Sequence, residues 1–308
     1  MKYTQQQVEQ ILELSQNGYS SRKISELTGF SKSGINYAIQ RIKAPDATQA
    51  PKILMFDLET SAALVYCFGR HKQYINQDAV YKEGGKILVA GYRWLGEKKS
   101  RVIYDKQEIK AGEDYVLCSM LWDLFNQASV VVAHNAKGFD VKMLAARCLA
   151  NGLPPLPTVQ IIDTLEIAKR KFRLPSNKLD SLGAYLGLGR KVSHSGIDLW
   201  VKVQQGDDKA LGEMVEYCEG DVDLLVDIFL ALRSWGLVSG FNAALHYSDD
   251  KPRCRSCGST ELEITGRKVM TPTGVYNEIR CKDCDMVQRD KQNQSTKTKR
   301  SNLLAAVV

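Results

Sequence analysis

The sequence lacks a long apolar run, and its first residues, Met1–Gln6, are polar. A membrane-spanning helix needs about 18–20 consecutive apolar residues, so we expect no membrane partner. A secretory signal peptide would carry an apolar segment near the N-terminus, so we expect a cytoplasmic protein in a reducing environment. With 308 residues, 44% of them hydrophobic and 25% charged, the chain has the composition of an ordinary globular protein of one to three domains.

A strong charge of one sign is absent from the middle of the chain. Residues 51–250 carry 24 Lys/Arg and 25 Asp/Glu, whereas residues 1–50 carry 6 and 4 and residues 251–308 carry 12 and 6. The formal net charge of +7 therefore lies at the two ends. Basic segments attract polyanions, so this pattern favours a neutral catalytic core flanked by segments that bind nucleic acid. A solubilising basic tail would give the same distribution.

Half of the eight cysteines have no metal-binding spacing and lie among apolar neighbours, where we expect reduced packing residues. These are Cys67, Cys118, Cys148 and Cys218. The other four form two Cys-x-x-Cys pairs, Cys254 with Cys257 and Cys281 with Cys284, and 23 residues separate the pairs. Thiolates at this spacing bind one tetrahedral, structural Zn²⁺, and a reducing compartment disfavours disulfides.

Residues 250–290 resemble a zinc ribbon. The segments 262–269 and 275–280 have the composition of strands, and Pro272 and Gly274 predict the turn between them. The basic residues of this segment suggest contact with nucleic acid or with protein, and the sequence does not separate the two. Residues 291–308 begin polar and basic, and we expect a disordered tail there.

Residues 1–43 contain three short helical patterns. Thr4 is placed to cap the first helix, Ser20 or Ser21 the second and Ser31 the third. The stretch resembles the DNA-binding helix-turn-helix of resolvases and related regulators. The resemblance implies that the third helix enters the major groove, with Lys32, Asn36 and Arg41 among its outward residues. A three-helix bundle for protein contact is the alternative. Residues 44–51, with two prolines and no periodicity, read as a linker.

Residues 52–240 alternate strand and helix patterns, which predicts an α/β domain. The expected strands after the opening one (beginning at Ile53) are Lys86–Trp94, Lys99–Asp105, Ser129–His134 and Thr158–Ile162. The expected helices are Tyr115–Gln127, Phe139–Asn151, Leu165–Lys171, Leu179–Leu186 and Lys209–Trp235.

Two carboxylates, Asp57 and Glu59, stand at the end of the opening strand. Alternate side chains of a strand share a face, so we expect these two to point the same way. Each would then raise the pKa of the other unless a cation lies between them. A divalent metal is the usual resolution, and a strand that runs out into an acidic, solvated loop is the plainer alternative.

Three further residues extend this set. Asp140 follows a buried valine-rich strand and falls in the first turn of a helix, where the helix dipole alone would favour a carboxylate. Tyr217 and Asp221 are i and i+4 on the last helix, so they share one face beside its apolar stripe. Polar groups at such a border need partners.

In this order the motifs resemble the DEDD 3′–5′ exonucleases of the ribonuclease-H-like fold, in the branch with a tyrosine in its third motif (DEDDy). That family includes the proofreading domains of DNA polymerases. Residues 163–165 and 174–183 are also similar to the family's region between the second and third motifs. The resemblance implies a mixed sheet with flanking helices and a metal-dependent 3′–5′ exonuclease that hydrolyses phosphodiester bonds by a two-metal mechanism.

The resemblance also implies roles for the residues and partners for the chain. Two Mg²⁺ or Mn²⁺ ions would be bridged by Asp57, with Glu59 and Asp221 at the first ion and Asp140 at the second. Tyr217 would orient the attacking water. Asn135 and Phe139 are weaker candidates for contact with the terminal nucleotide. DNA is favoured over RNA as the nucleic-acid partner, and a replication or repair assembly is a candidate context.

Two other functions stay open on the sequence. The same fold could act as an endonuclease or a ribonuclease, because fold does not determine substrate. The chain could also be a non-catalytic DNA-binding regulator or recruiting factor whose core only grips nucleic acid. A complete set of four carboxylates argues against the latter, since crowded carboxylates repel phosphates.

Overall fold

The computed structural model describes residues 4–16, 19, 21–30, 35, 50–69, 74–236 and 240–304. The chain divides into two compact units, one of residues 1–50 with 245–250 and the other of residues 51–244 with 251–308. The predicted zinc-binding segment therefore belongs to the same unit as the α/β domain. No helix in these described ranges is long and apolar enough to cross a membrane.

The first unit contains α1 (Gln5–Gln16) and α2 (Ser21–Thr28). The Thr4 N–H donates to the Gln7 side chain at 2.9 Å and the Gln7 N–H donates back to the Thr4 hydroxyl at 3.4 Å, as in a capping box. Ile11, Ile24 and Ile35 are fully buried together. Apart from Ile35, the third predicted helix lies outside the described residues, as do Lys32, Asn36, Arg41 and most of the linker.

In the described part of the second unit, five strands form a mixed sheet in the order β5-β4-β1-β6-β7. β1 (Ile53–Thr60) is antiparallel to β4 (Ile87–Trp94) and parallel to β6 (Val130–Ala133). β5 (Arg101–Ile103) extends the antiparallel side and β7 (Gln160–Asp163) the parallel side. The α/β class and the predicted mixed sheet are confirmed.

Helices cover both faces of this sheet. The helix bounds are α3 (Lys106–Ala111), α4 (Tyr115–Gln127), α5 (Asp140–Ala150), α6 (Thr164–Lys171), α7 (Leu179–Leu186), α8 (Ile197–Gln204) and α9 (Asp208–Arg233). Odd-numbered β1 residues such as Met55 pack in one cluster with α9, and even-numbered ones such as Phe56 pack in another with α4 and α5. This alternation directs the odd positions, Asp57 and Glu59 among them, toward the side of α9.

The helix α9 lies close against the sheet at Gly91 of β4. A Cβ atom added there would stand 2.7 Å from the Val222 side chain and 2.9 Å from the Cys218 sulfur. Any larger residue would therefore push α9 away from β4. This close approach positions the Asp221 carboxylate of α9 over the end of β1.

Four helices and strands of the α/β domain were not predicted. The helices α3 and α8 are only 6 and 8 residues long, and α8 falls in a stretch that the sequence presents as a loop. β2 (Leu64–Val65) and β3 (Val80–Lys82) pair as a short hairpin. Strands of two and three residues are too short to show an alternating pattern.

The C-terminal segment forms an antiparallel sheet of β8 (Leu262–Thr271), β9 (Gly274–Cys281) and β10 (Val287–Arg289). It is tied to the end of α9, because the Ser256 hydroxyl donates to the Arg233 carbonyl at 3.1 Å. The Arg255 guanidinium donates to the Phe241 carbonyl at 3.1 Å. Arg255 thus serves a structural contact.

The segment for which a disordered tail is expected has structure in its described part. The Gln294 N–H donates to the Val275 carbonyl at 2.7 Å, and the Val275 N–H donates to the Asn293 side chain at 3.3 Å. A short helix, α10 (Lys297–Ser301), follows. The difference arises because the β9 edge offers backbone partners that a sequence pattern does not reveal.

Candidate active site

Three of the predicted carboxylates converge where β1 meets α9. Asp57 and Glu59 lie near the C-terminal end of β1, and Asp221 lies in the middle of α9. One oxygen of each lies within 4.8 Å of the others. Asp221 is fully buried. The strand alternation and the apolar stripe of α9 direct these side chains to facing surfaces, and the packing of α9 on the sheet brings them together.

Asp140 completes the acidic set from a third element. It is the first residue of α5 and is 2% exposed. The backbone N–H of Leu58, between the two β1 carboxylates, hydrogen-bonds to the Asp140 carboxylate. After burial, the charge of Asp140 is the largest cause that raises the pKa of Asp57. The structure therefore places all four acidic residues in one neighbourhood.

These carboxylates are costly to hold as a group of anions. Burial raises the pKa of Asp57 well above its ordinary value, and the charges of Asp140 and Glu59 raise it further. Burial, followed by the charge of Asp221, raises the pKa of Glu59 to about 7. Burial raises the pKa of Asp140 to about 7. A site of this kind gains stability from bound cations.

One oxygen of Asp221 has no partner within the chain. Among the residues that the structure describes, Asp221 Oδ1 is one of four buried side-chain oxygen or nitrogen atoms without a hydrogen bond. A buried carboxylate oxygen left unpaired is costly. Since carboxylates are the ligands that Mg²⁺ and Mn²⁺ prefer, this oxygen and its neighbours fit a hard divalent cation.

The other oxygen of Asp221 contacts Lys191, which sequence reasoning missed. The Lys191 ammonium lies 2.5 Å from Asp221 Oδ2 and 2.9 Å from the Tyr217 hydroxyl. Burial alone would lower the pKa of Lys191, but the Asp221 carboxylate raises it above its ordinary value. Lys191 lies in the loop before α8, where the sequence shows no periodicity that could have indicated its position.

Tyr217 is held by an aromatic cluster. Its ring lies edge-on to His194 at 4.8 Å and to Trp200 of α8 at 6.1 Å between centroids. Trp200 also donates a hydrogen bond to Glu59. Burial raises the pKa of Tyr217 above its usual range, so its hydroxyl stays protonated at neutral pH. Trp200 was missed because α8 was not predicted, and His194 was missed because it lies in the loop before that helix.

The loop between β6 and α5 has a constrained backbone. Asn135 has a left-handed φ of 75°, and a Cβ atom on Gly138 would stand 2.3 Å from the Asn135 side-chain oxygen. The Asp163 carboxylate accepts the N–H groups of Asn135 at 3.0 Å and Lys137 at 3.2 Å while it caps α6. Strained backbone of this kind clusters at functional sites. Phe139, the second candidate for nucleotide contact, is 37% exposed at the end of this loop.

His134 has a structural role in the same loop. Its two ring nitrogens lie 2.9 Å from the Thr164 hydroxyl and 2.9 Å from the Asn177 carbonyl. These contacts join β6, α6 and the segment before α7.

A cavity of about 660 Å³ opens beside the carboxylates. Lys191 lines it and also contacts Asp221, so the cavity and the acidic group share a wall. Its polar lining consists of His134, Asn135, Lys169, Asn177, Lys178, Asp180 and Lys191. Three of these seven residues are lysine and one is aspartate, so the lining carries net positive charge and suits a ligand with negative charge.

The four cysteines of the C-terminal segment form a second cluster. Their sulfur atoms all lie within 4.8 Å of one another, and the pairs Cys254–Cys284 and Cys257–Cys281 are each 3.6 Å apart. Zinc–sulfur bonds of about 2.3 Å in a tetrahedron require sulfur separations of roughly 3.8 Å. A hydrogen bond from Cys257 lowers the pKa of Cys254 to about 5. The cluster fits one structural zinc ion.

Comparison with known proteins gives a matching family model and a similar solved structure. Residues 54–232, more than half of the chain, match the family model described as RNase_H superfamily. A solved structure of the family B DNA polymerase from the hyperthermophilic archaeon Pyrobaculum calidifontis is similar over 61% of this chain, with 14% sequence identity and a TM-score of 0.42. The similar part covers 26% of the polymerase chain. No curated protein sequence matches the chain.

Proposed function

The chain belongs to the RNase_H superfamily, and on this premise we propose that it is a metal-dependent 3′–5′ exonuclease acting on nucleic acid, with DNA favoured over RNA. Membership of the superfamily supports a nuclease-type enzyme. The observation that carries the finer proposal is the convergence of Asp57, Glu59 and Asp221, with one buried Asp221 oxygen left without a protein partner. Asp140 lies beside them and completes the acidic set.

The carboxylates would hold two Mg²⁺ or Mn²⁺ ions. Asp57 would be shared between them, Glu59 and Asp221 would complete the first site, and Asp140 would serve the second. When bound, such ions stabilise the attacking and the leaving oxygen of a phosphodiester in an in-line displacement. The chemistry of four oxygen donors without His or Cys fits these cations.

The side chains around the metal site would position the reactants. The protonated Tyr217 hydroxyl, held by His194 and Trp200, would orient the attacking water. The Lys191 ammonium contacts both Tyr217 and Asp221, so it would keep the hydroxyl in place and offset negative charge when a phosphate approaches.

The cavity of about 660 Å³ supplies a place for the end of the strand. It would receive the terminal nucleotide, with Asn135 at its wall and Phe139 at the end of the adjoining loop. Lys169 and Lys178 line the same cavity and would attract the phosphates.

A product ladder tests this function. The chain is incubated with single-stranded and duplex DNA and RNA, labelled at the 3′ or the 5′ end, in Mg²⁺, Mn²⁺ or EDTA. We expect a stepwise ladder that starts at the 3′ end and disappears in EDTA. Internal cuts would favour the endonuclease alternative, and an absence of metal-dependent products would favour a non-catalytic regulator or recruiting factor.

The flanking segments support the same polymer. We propose that residues 1–43 bind DNA through a helix-turn-helix and that the four-cysteine segment holds one structural Zn²⁺. Modules that bind the same strand raise its effective concentration at the active site. A replication or repair assembly is a context in which such a chain would act.

A further inference from the structure

We propose that the hairpin that follows β1 is a stacking platform that guides a single strand of nucleic acid to the carboxylates. We call the described residues 64–69 and 74–82, which include β2 and β3, the aromatic hairpin. The proposal rests on the proposed nuclease function and adds a surface to it.

The aromatic hairpin exposes an unusual number of large rings. Tyr66 is 69% exposed, Tyr81 is 72% exposed and Tyr74 is 90% exposed, and Phe68 is fully exposed. Large exposed apolar groups cost free energy in water, and a contiguous set of them marks a binding surface. A two-stranded hairpin has too little core to justify these rings by its own folding.

A β-bulge in the aromatic hairpin determines the position of two of the rings. Leu64 pairs with Lys82 and the next residue, Val65, pairs with Val80, so Tyr81 is an extra residue on its strand. A bulge of this kind re-aims the side chain at its position. The Tyr81 ring consequently meets the Tyr66 ring edge-on at 5.5 Å between centroids, and both rings keep most of their surface open.

The base of the aromatic hairpin lies at the active site. The Ser61 N–H donates to the Lys86 carbonyl at 2.7 Å and the Gly85 N–H donates to the Ser61 carbonyl at 2.9 Å, which closes the base directly after β1. A Cβ on Gly85 would stand 3.9 Å from Met143 of α5. Leu64 lies five positions after Glu59 in the chain, a span of at most about 18 Å.

These placements favour a single strand as the occupant. The same hairpin base touches β1, which carries Asp57 and Glu59, and α5, which begins at Asp140. A nucleic-acid strand whose end lies at the carboxylates must pass over the protein surface that borders them. Aromatic rings bind successive unpaired bases without regard to sequence, because every base has a π-face. A nuclease that shortens strands of any sequence needs contacts that do not depend on the sequence.

Binding of single strands tests the proposal. The full chain carrying Asp57→Asn is used so that the oligonucleotide is not degraded. It is titrated into fluorescent oligodeoxynucleotides, and anisotropy gives the dissociation constant. We expect Tyr66→Ala/Tyr81→Ala to weaken binding of a decanucleotide roughly tenfold or more. The loss should be smaller for a dinucleotide, which offers few bases beyond the one held at the carboxylates.

Matched substitutions separate stacking from other contacts. Tyr66→Phe/Tyr81→Phe keeps both rings and should keep the affinity, whereas Tyr66→Leu/Tyr81→Leu keeps apolar bulk without a π-face and should lose it. Tyr115→Ala removes an exposed tyrosine outside the aromatic hairpin and serves as the control. Thermal unfolding of each variant verifies that the fold persists.

A cross-link locates the strand directly. Irradiation of a complex with an oligonucleotide containing 5-iodouracil should attach it to Tyr66 or Tyr81, as mapped by mass spectrometry. Unchanged affinity in the double alanine variant, or full affinity with leucine at both positions, would overturn the proposal and point to a protein partner or a second copy of the chain. The nuclease function is judged separately, by the product ladder of the unsubstituted chain.

Discussion

At the scale of single residues, the acidic site places several negative charges beside one positive charge. Among the described residues, Asp57, Glu59, Asp140 and Asp221 share a neighbourhood with one observed ammonium contact, that of Lys191 to Asp221. Burial raises the pKa of each carboxylate, so the site without cations is strained electrostatically. The grouping of carboxylates that suits metal binding therefore lowers the stability of the fold without metal.

The substitution Asp57→Asn tests that opposition. We expect at least about a 100-fold loss of Mg²⁺-dependent hydrolysis, since metal stabilisation of a transition state is worth several kcal/mol. The same change removes a buried charge, so the melting temperature without metal should rise. Asp227→Asn, an exposed position on α9, is the control and should change neither. Full activity in Asp57→Asn would contradict the assigned role.

The substitution Tyr217→Phe separates positioning from metal binding. The phenyl ring keeps its packing against His194 and Trp200, but the hydroxyl that contacts Lys191 is lost. We expect turnover to fall roughly 10- to 100-fold while the Mg²⁺ concentration for half-maximal rate stays unchanged. The control is Tyr185→Phe, at an exposed tyrosine. A parallel loss of metal affinity would assign Tyr217 to the metal site instead.

At the scale of elements, one buried carboxylate joins three of them. Asp114 precedes α4 and accepts hydrogen bonds from the Arg147 guanidinium at 2.7 and 2.8 Å, from the Asn151 amide at 2.8 Å and from the Ile87 N–H at 2.9 Å. Burial alone would raise the pKa of Asp114, but these bonds hold it below its ordinary value. The contacts tie α4 and α5 to the start of β4.

Acid should weaken this junction in a defined window. Because the folded pKa of Asp114 lies below its ordinary value of 3.8, its contribution is present above that value and is lost as pH falls through the folded pKa. We expect Asp114→Asn to lower stability by about 3–5 kcal/mol at neutral pH, because Arg147 loses its partner, and to flatten the acid limb of the stability curve. The control is Asp123→Asn, at an exposed position on α4, which should behave like the unsubstituted chain in urea titrations. Unchanged stability in Asp114→Asn would refute the role of the junction.

At the scale of the whole molecule, the four-cysteine cluster anchors a small sheet to the last helix of the core. The loop between Cys254 and Cys257 carries Ser256, which bonds the end of α9, and Cys281 ends β9. A sheet of three strands with few buried apolar residues would depend on a bound metal for stability. Zinc would thereby also fix the junction between the two parts.

Metal content measures this dependence. We expect one zinc ion per chain, retained through gel filtration and released when thiols are modified, and none in Cys254→Ser/Cys281→Ser. The exposed Cys67 provides the control, and Cys67→Ser should keep the metal. Proteolysis should then cut residues 251–304 first in the zinc-free variant. Freshly purified chain without zinc would exclude a structural metal.

Much of the architecture follows from local patterns alone. The alternation of β1, the helical spacing of α4, α7 and α9 and the two cysteine pairs predict the elements within a few residues, because these patterns recur over many positions. The sequence also determines that Asp57 and Glu59 share a face and that Tyr217 and Asp221 share another. These are consequences of periods of 2 and 3.6 residues.

What joins those faces was decided only by the tertiary structure. The approach of α9 to β1 depends on Gly91, and the contacts of Lys191, His194 and Trp200 arise from a loop and a short helix without a pattern. The aromatic hairpin has strands of two and three residues, below the length at which periodicity can be detected. A sequence states which side chains can share one element, whereas contacts between distant segments depend on how the packed elements meet.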